Sequence, residues 1–194
     1  MRNKKIGLLG AVMMLAASAA AADSGLFIGI GNDFGGDTIG EVWFDDGADG
    51  VVRANQGFEM DIGVSLPVGA GLSLQSSIGV QWSERLAGNG SMGWQSFPWR
   101  NLLVAELGSW SLGGGVVYFI EPELSTDGVL APLGGRRYDD ALGYQAELAY
   151  RLFRNPGGGG MEVGARYITV DFTTPEEEQP ARGDSGGVFA RFLF

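Results

Sequence analysis

Leu142-Gly143-Tyr144-Gln145-Ala146-Glu147-Leu148-Ala149-Tyr150-Arg151-Leu152, followed a few residues later by Met161-Glu162-Val163-Gly164-Ala165-Arg166, decides the fold. In the first stretch Leu142, Tyr144, Ala146, Leu148, Tyr150 and Leu152 alternate with Gly143, Gln145, Glu147, Ala149 and Arg151. Side chains of a strand point to opposite sides in turn, so this period of two is a strand with one apolar and one polar face. Opposed residues of an antiparallel pair have a constant number sum, because one strand counts up while the other counts down. Glu147 with Arg166 and Arg151 with Glu162 both sum to 313. The same register sets Leu148 against Ala165, Tyr150 against Val163 and Leu152 against Met161, so charges meet on one face and apolar groups on the other. A face carrying Arg cannot look at lipid, where mid-depth Arg costs about 2–4 kcal/mol. Glu147, Arg166, Arg151 and Glu162 are therefore expected to line an interior as structural charge pairs.

The same alternation extends outward from this hairpin. It sets Phe58, Met60, Ile62, Val64 and Leu66 against Glu59, Asp61, Gly63 and Ser65, and repeats from Leu72 to Ser83 and around Trp110. With the weaker runs it predicts eight strands, near 24–33, 55–67, 72–83, 97–107, 110–121, 141–153, 161–171 and 185–194. Short turns at Gly69-Ala70-Gly71, Gly108-Ser109 and Arg154–Gly160 alternate with long segments at 34–54, 84–96, 122–140 and 172–184. An even set of ten-residue strands with short turns at one end and long loops at the other predicts an all-β fold, an eight-stranded antiparallel up-and-down transmembrane β-barrel. Closure also removes the edges that an open Gly-rich sheet would expose.

A soluble lipocalin-like barrel would turn the apolar face inward instead. Three features favour the membrane arrangement. Bulky aromatics (Trp82, Trp99, Trp110, Tyr118) fall near strand ends, as an interfacial girdle requires. The opposite faces are rich in Gly, Ser and Gln, which suit a narrow polar lumen. The chain also finishes in Val188-Phe189-Ala190-Arg191-Phe192-Leu193-Phe194. That ending resembles the carboxy-terminal assembly signal of bacterial outer-membrane barrels, with Phe194, Phe192, Ala190 and Val188 on one face. With its size, the chain looks like the small eight-stranded class that includes the OmpA membrane domain and OmpX. The resemblance implies a Gram-negative outer membrane, contact with its lipid and lipopolysaccharide, insertion by the barrel assembly machinery, and a monomer. A further similarity to the YfaZ family rests on Leu66-Pro67-Val68-Gly69, on Tyr118 with Pro122 and Leu124-Ser125, and on Val163-Gly164-Ala165-Arg166-Tyr167-Ile168. That family brings no catalytic residues.

The first residues read as an address. Arg2, Lys4 and Lys5 precede an apolar run from Ile6 to Ala17, then small residues to Ala22, the pattern of a cleaved export signal at 1–22. The run is shorter than the roughly 20 residues of a spanning helix. The barrel domain is then 23–194. Losing the signal removes three bases and leaves ten Arg against 23 acids. A chain so acidic is unsuited to nucleic acid, whose phosphates demand a basic face.

Enzyme chemistry is narrowed by what is missing. The chain has no Cys and no His, so it offers no thiolate, no Ser-His pair and no His-ligated metal. The enzymes known on small outer-membrane barrels rely on His and cannot be aligned. Glu59 and Asp61, at i and i+2 on one strand face, lie about 7 Å apart by strand rise and could share a catalytic task; the simpler reading is interior charge bonded to Arg. Asp45-Asp46-Gly47-Ala48-Asp49-Gly50 fails as a calcium loop, because position three is Gly47 and position twelve Gln56. It reads as a solvated loop tip, as does Glu176-Glu177-Glu178. Six arginines (Arg53, Arg85, Arg100, Arg136, Arg137, Arg182) fall in or beside the long loops, and Arg136 and Arg137 are the candidates for lipopolysaccharide phosphates. The reading that follows is a non-enzymatic envelope protein with no catalytic residue, cofactor or metal, its lumen closed by side chains and Glu/Arg pairs. The alternatives are a narrow channel or small-molecule transport barrel, and the soluble binding barrel.

Overall fold

The computed structural model describes residues 25–43, 49–87, 90–156, 159–175 and 179–194. The export segment 1–22, most of the acidic loop at 45–50 and the Glu176–Glu178 run lie outside the described residues. Eight strands make the wall: β1 (Gly25–Gly35), β2 (Gly57–Gly69), β3 (Leu72–Ala87), β4 (Gly90–Leu107), β5 (Trp110–Gly128), β6 (Ala141–Arg154), β7 (Gly160–Thr169) and β8 (Ser185–Leu193). Each pairs antiparallel with its neighbour in sequence. β1 also pairs with β8, which closes the barrel and leaves no edge in the wall. The last residue is held too, Phe194 N–H donating to the Leu26 carbonyl at 2.9 Å.

The alternation now has a direction. Leu26, Ile28, Ile62, Leu74, Leu112, Leu148 and their kind are exposed on the outside. Glu59, Gln75, Gln81, Glu147, Glu162 and Arg191 are buried inside. The apolar belt on β3 runs from Leu72 to Trp82, about 25 Å tall at the strand rise and ~40° tilt usual for such barrels. Edge-to-face aromatic pairs sit toward its two ends. Phe58 and Trp82 stack at 5.0 Å toward the long loops, and Trp110 and Tyr150 at 4.9 Å beside the short turns. The lipocalin-like arrangement is not the one adopted.

Three sequence expectations need correction. Segment 84–96 is not a long loop: β3 runs on to Ala87 and β4 starts at Gly90, seven residues before the expected strand. β5 likewise continues to Gly128. The alternation of Met92, Trp94 and Ser96 persists there, and all three are buried beneath loops that fold over them. The extended part of β5 starts at an irregularity where the register with β4 slips between Gln95 and Phe97. Glu121 there takes a left-handed conformation (φ 49°), and the following Pro122 has no N–H for the ladder. The third correction is in the β6–β7 hairpin. The register through Arg166/Glu147, Ala165/Leu148, Val163/Tyr150 and Glu162/Arg151 is the expected one, but Met161 faces Phe153 rather than Leu152. A one-residue bulge next to the Arg154–Gly160 turn absorbs the difference.

Above the belt the long segments fold inward. A hairpin of Thr38–Trp43 with Asp49–Arg53, another of Asp171–Phe172 with Ala181–Arg182, and the two-residue strand Arg136–Arg137 against β5 cover the mouth. They seal it with an apolar core of Val52, Met92, Trp94, Phe119, Leu124, Tyr138, Ile168 and Phe172, in which the Phe172 ring meets Trp94, Tyr138 and Phe119 edge to face.

Candidate functional site: the charged lumen

Below that apolar cap the lumen is filled by one continuous polar network. Asp33 on β1 accepts from Arg166 Nε and Nη2, both at 2.8 Å, and from Gln81 Nε2 at 2.9 Å. Arg166 Nη2 also donates to Glu59 at 2.7 Å. Glu59 takes a two-pronged grip from Arg100, whose Nη1 bonds Oε1 and whose Nη2 bonds Oε2. Arg100 Nε donates to Gln145, which donates to Glu147 at 3.0 Å. Glu147 receives both Nη atoms of Arg191 at 3.2 and 3.3 Å. Arg191 approaches Glu162 at 3.8 Å, and Glu162 holds Arg151 at 2.7 Å, which reaches Glu106 at the turn end. The network draws a side chain from every wall strand except β5, where Gly113 faces Glu147 and a Cβ would meet its Cγ at 2.7 Å. Glu59 is 1% exposed and Arg100 2%. Charges so buried are tolerable only because each finds a partner and hydrogen bonds.

Glycine makes the reach possible. Arg166 stands opposite Gly187, and Gly187 stands opposite Asp33. With no side chain between them, guanidinium and carboxylate meet over the bare backbone, and a Cβ on Gly187 would overlap Asp33 Oδ1. Arg191, Gly29 and Asp61 repeat the row, and a Cβ on Gly29 would overlap Asp61. Toward the turn end the Arg191 guanidinium lies between the rings of Phe27 and Phe189, 4.9 Å from each centroid.

Of the four expected interior charges, Arg151 and Glu162 bond each other. Glu147 and Arg166 face each other in register but take different partners, Arg191 for Glu147 and Asp33 with Glu59 for Arg166. Arg100 is not a loop arginine; it stands at the centre of the lumen. Glu59 lies in that same ion network, whereas the partly buried Asp61 lies over Gly29. Asp33 and Arg100 escaped the sequence reading for one reason: Phe27 on β1, and Leu102 with Val104 on β4, are apolar residues on the inner face, so alternation on those strands has little contrast. Arg137 lies at the rim with its side chain 79% exposed, 3.3 Å from Glu123, on the short strand it shares with Arg136.

This architecture is shared with solved structures. Ail, the attachment invasion locus protein of Yersinia pestis, in complex with the heparin analogue sucrose octasulfate, matches with a TM-score of 0.54 at 13% identity, over 88% of this chain and 97% of that one. Neisserial surface protein A matches with a TM-score of 0.50 at 12% identity, over 89% and 98%. No family model and no curated protein matches, so the YfaZ similarity rests on its fragments alone. The chain has the fold of the small eight-stranded barrels of bacterial outer membranes, and its bare apolar belt puts it in that membrane.

Proposed function

We propose that the protein is a non-enzymatic integral barrel of the outer membrane, with a lumen shut to ions and a loop-covered end displayed outward. The observation that carries this reading is the double closure of the lumen. The Asp33–Arg166–Glu59–Arg100 cluster is almost fully buried, and an apolar core lies over it. An ion crossing here would have to displace fixed charge partners and then pass Trp94, Phe119 and Phe172. Eight strands leave an interior just wide enough for side chains to fill. The reading includes export by residues 1–22, a barrel domain of 23–194, and engagement by the barrel assembly machinery through the last strand. Purified protein in planar bilayers is expected to be electrically silent. Steady current steps from the wild type, abolished or enlarged by replacing Glu147 and Arg166 together, would establish the channel instead.

Arg136 and Arg137 belong to this reading as contacts for lipopolysaccharide phosphates. Arg137 is exposed at the rim, where the forked guanidinium suits a phosphate. Replacing both by Gln is expected to lower the lipopolysaccharide that co-purifies with the barrel; unchanged retention refutes the contact.

A further inference from the structure

Arg100 and Leu102 on β4 are buried in the lumen and Leu103 is exposed, so Asn101 points outward, and it is partly exposed. Its neighbours across the wall are Ser76 on β3 and Val116 on β5. Ser76 lies four residues above Leu72 and six below Trp82, whereas Val116 lies six above Trp110 and four below Ile120. Asn101, between the two, is therefore near the mid-plane of the belt, with its amide turned to the acyl chains.

That position leaves the amide without a partner. The Asn101 side chain makes no hydrogen bond among the described residues. Ser76, directly opposite, already accepts from Trp99 Nε1–H at 3.3 Å. An unbonded amide in hydrocarbon is costly, and this side chain is too short to reach the headgroups from mid-depth. Two other outward polar residues differ. Asn32 stands opposite Phe58, at the aromatic level where headgroups and water serve it, and Thr169 donates to Asp184 at 2.7 Å.

We propose that this face is the contact between two copies of the chain in the membrane, departing from the monomer that the family resemblance implies. A two-fold axis along the membrane normal preserves depth, so Asn101 meets Asn101 of the second copy. The amide is self-complementary, with a carbonyl acceptor and an NH2 donor, and the pair closes two reciprocal hydrogen bonds away from lipid. Any other partner would need a matching polar group at the same depth; a second copy has it by symmetry. Beside Asn101 the wall is low. Gly114 on β5 stands opposite Ala146, and a Cβ on Gly114 would find only the Gln145 carbonyl oxygen, at 3.9 Å. The same axis sets β3 of one copy, with its exposed Leu74 and Ile78, against β5 of the other, where that hollow admits them. This contact rests on the belt lying in the bilayer and not on closure of the lumen.

The test is energy transfer between labelled barrels. The chain has no Cys, so Ser109→Cys in the exposed β4–β5 turn gives a single labelling site. Donor- and acceptor-labelled barrels are folded together into phosphatidylcholine vesicles and diluted with lipid. Transfer is expected to exceed that of randomly placed barrels at the same density, and to rise linearly with the acceptor fraction, as a dimer requires. Asn101→Leu should weaken association about tenfold, the scale of a hydrogen bond in the membrane. Asn101→Gln, which keeps the amide, should restore most of it, and Asn32→Leu should leave it unchanged. The heat-modifiable gel shift confirms that each variant is folded. The proposal is overturned if the wild type transfers only at the random level, if Asn101→Leu associates like the wild type, if Asn101→Gln is as weak as Asn101→Leu, or if Asn32→Leu weakens association equally.

Discussion

Gly186 and Gly187 are chain neighbours on β8 with opposite environments. A Cβ on Gly186 meets nothing within 4 Å, whereas one on Gly187 would overlap the Asp33 carboxylate. Gly187→Val therefore displaces Asp33 from Arg166 in a site where both are buried. Breaking a buried ion pair typically costs about 3–5 kcal/mol, because the surviving charge keeps its desolvation penalty. Gly186→Val adds an apolar group to an open outward face and is expected to stay within about 0.5 kcal/mol of wild type. Urea midpoints of both variants, refolded into lipid vesicles, check the contrast; equal midpoints would mean that the Arg166–Asp33 contact contributes little to folding. The row behind this prediction could be read from sequence only by applying the number-sum argument first to the β7–β8 hairpin and then to the closing β8–β1 pair, through Gly187. Applied to β6–β7 alone, it puts Arg166 with Glu147. Opposition in register was legible; the choice of partner was not. Arg166 leans over Gly187 to reach Asp33, whereas Arg191, with Gly29 beside it, turns the other way to Glu147.

Among the elements, legibility followed contrast. β2, β3 and β6 have one apolar and one polar face, and their cores were found within about two residues. β4 has Leu102 and Val104 inside and Leu103 and Ala105 outside, so nothing in its pattern marked where it began or that Arg100 points inward. The extension of β3, β4 and β5 past the belt was hidden for a different reason. Its buried face, with Met92 and Trp94, is covered by segments distant in sequence, Phe172 among them, and alternation along one strand cannot announce such a cover. The extension and its lid form a core of the kind found in water-soluble proteins, stacked on a membrane barrel. Trp94→Ala should cost about 3–5 kcal/mol within that core. Its effect is expected to stay local: the barrel still inserts and keeps its heat-modifiable mobility. Hydrogen exchange should quicken at amides 92–96, 117–119 and 168–172, while 27–31 and 187–191 hold their protection. Exchange that rises equally in both sets would show the cap and the wall opening as one unit.

At the scale of the whole molecule, the chain distributes its residues opposite to a soluble protein within the belt and like one above it. Leu148 is 47% exposed at the middle of the outward face of β6, yet it is one residue from Glu147, which is 4% exposed. Only a solvent of hydrocarbon makes that arrangement favourable, since water would be left in contact with the belt and the charges would gain nothing from burial. The boundary of that solvent is therefore a prediction of the fold. Leu148→Arg places a guanidinium at mid-depth and should lower folding stability in vesicles by about 2–4 kcal/mol. Leu86→Arg, on the same outer surface of β3 but four residues beyond Trp82, emerges above the acyl chains and should leave stability within about 0.5 kcal/mol of wild type. Both residues are exposed in the chain by itself, Leu86 at 73%, so burial within the protein cannot distinguish them. Only depth in a bilayer can. Equal effects of the two substitutions would mean that no hydrocarbon slab lies across the strands, and the outward apolar belt would then need another cover.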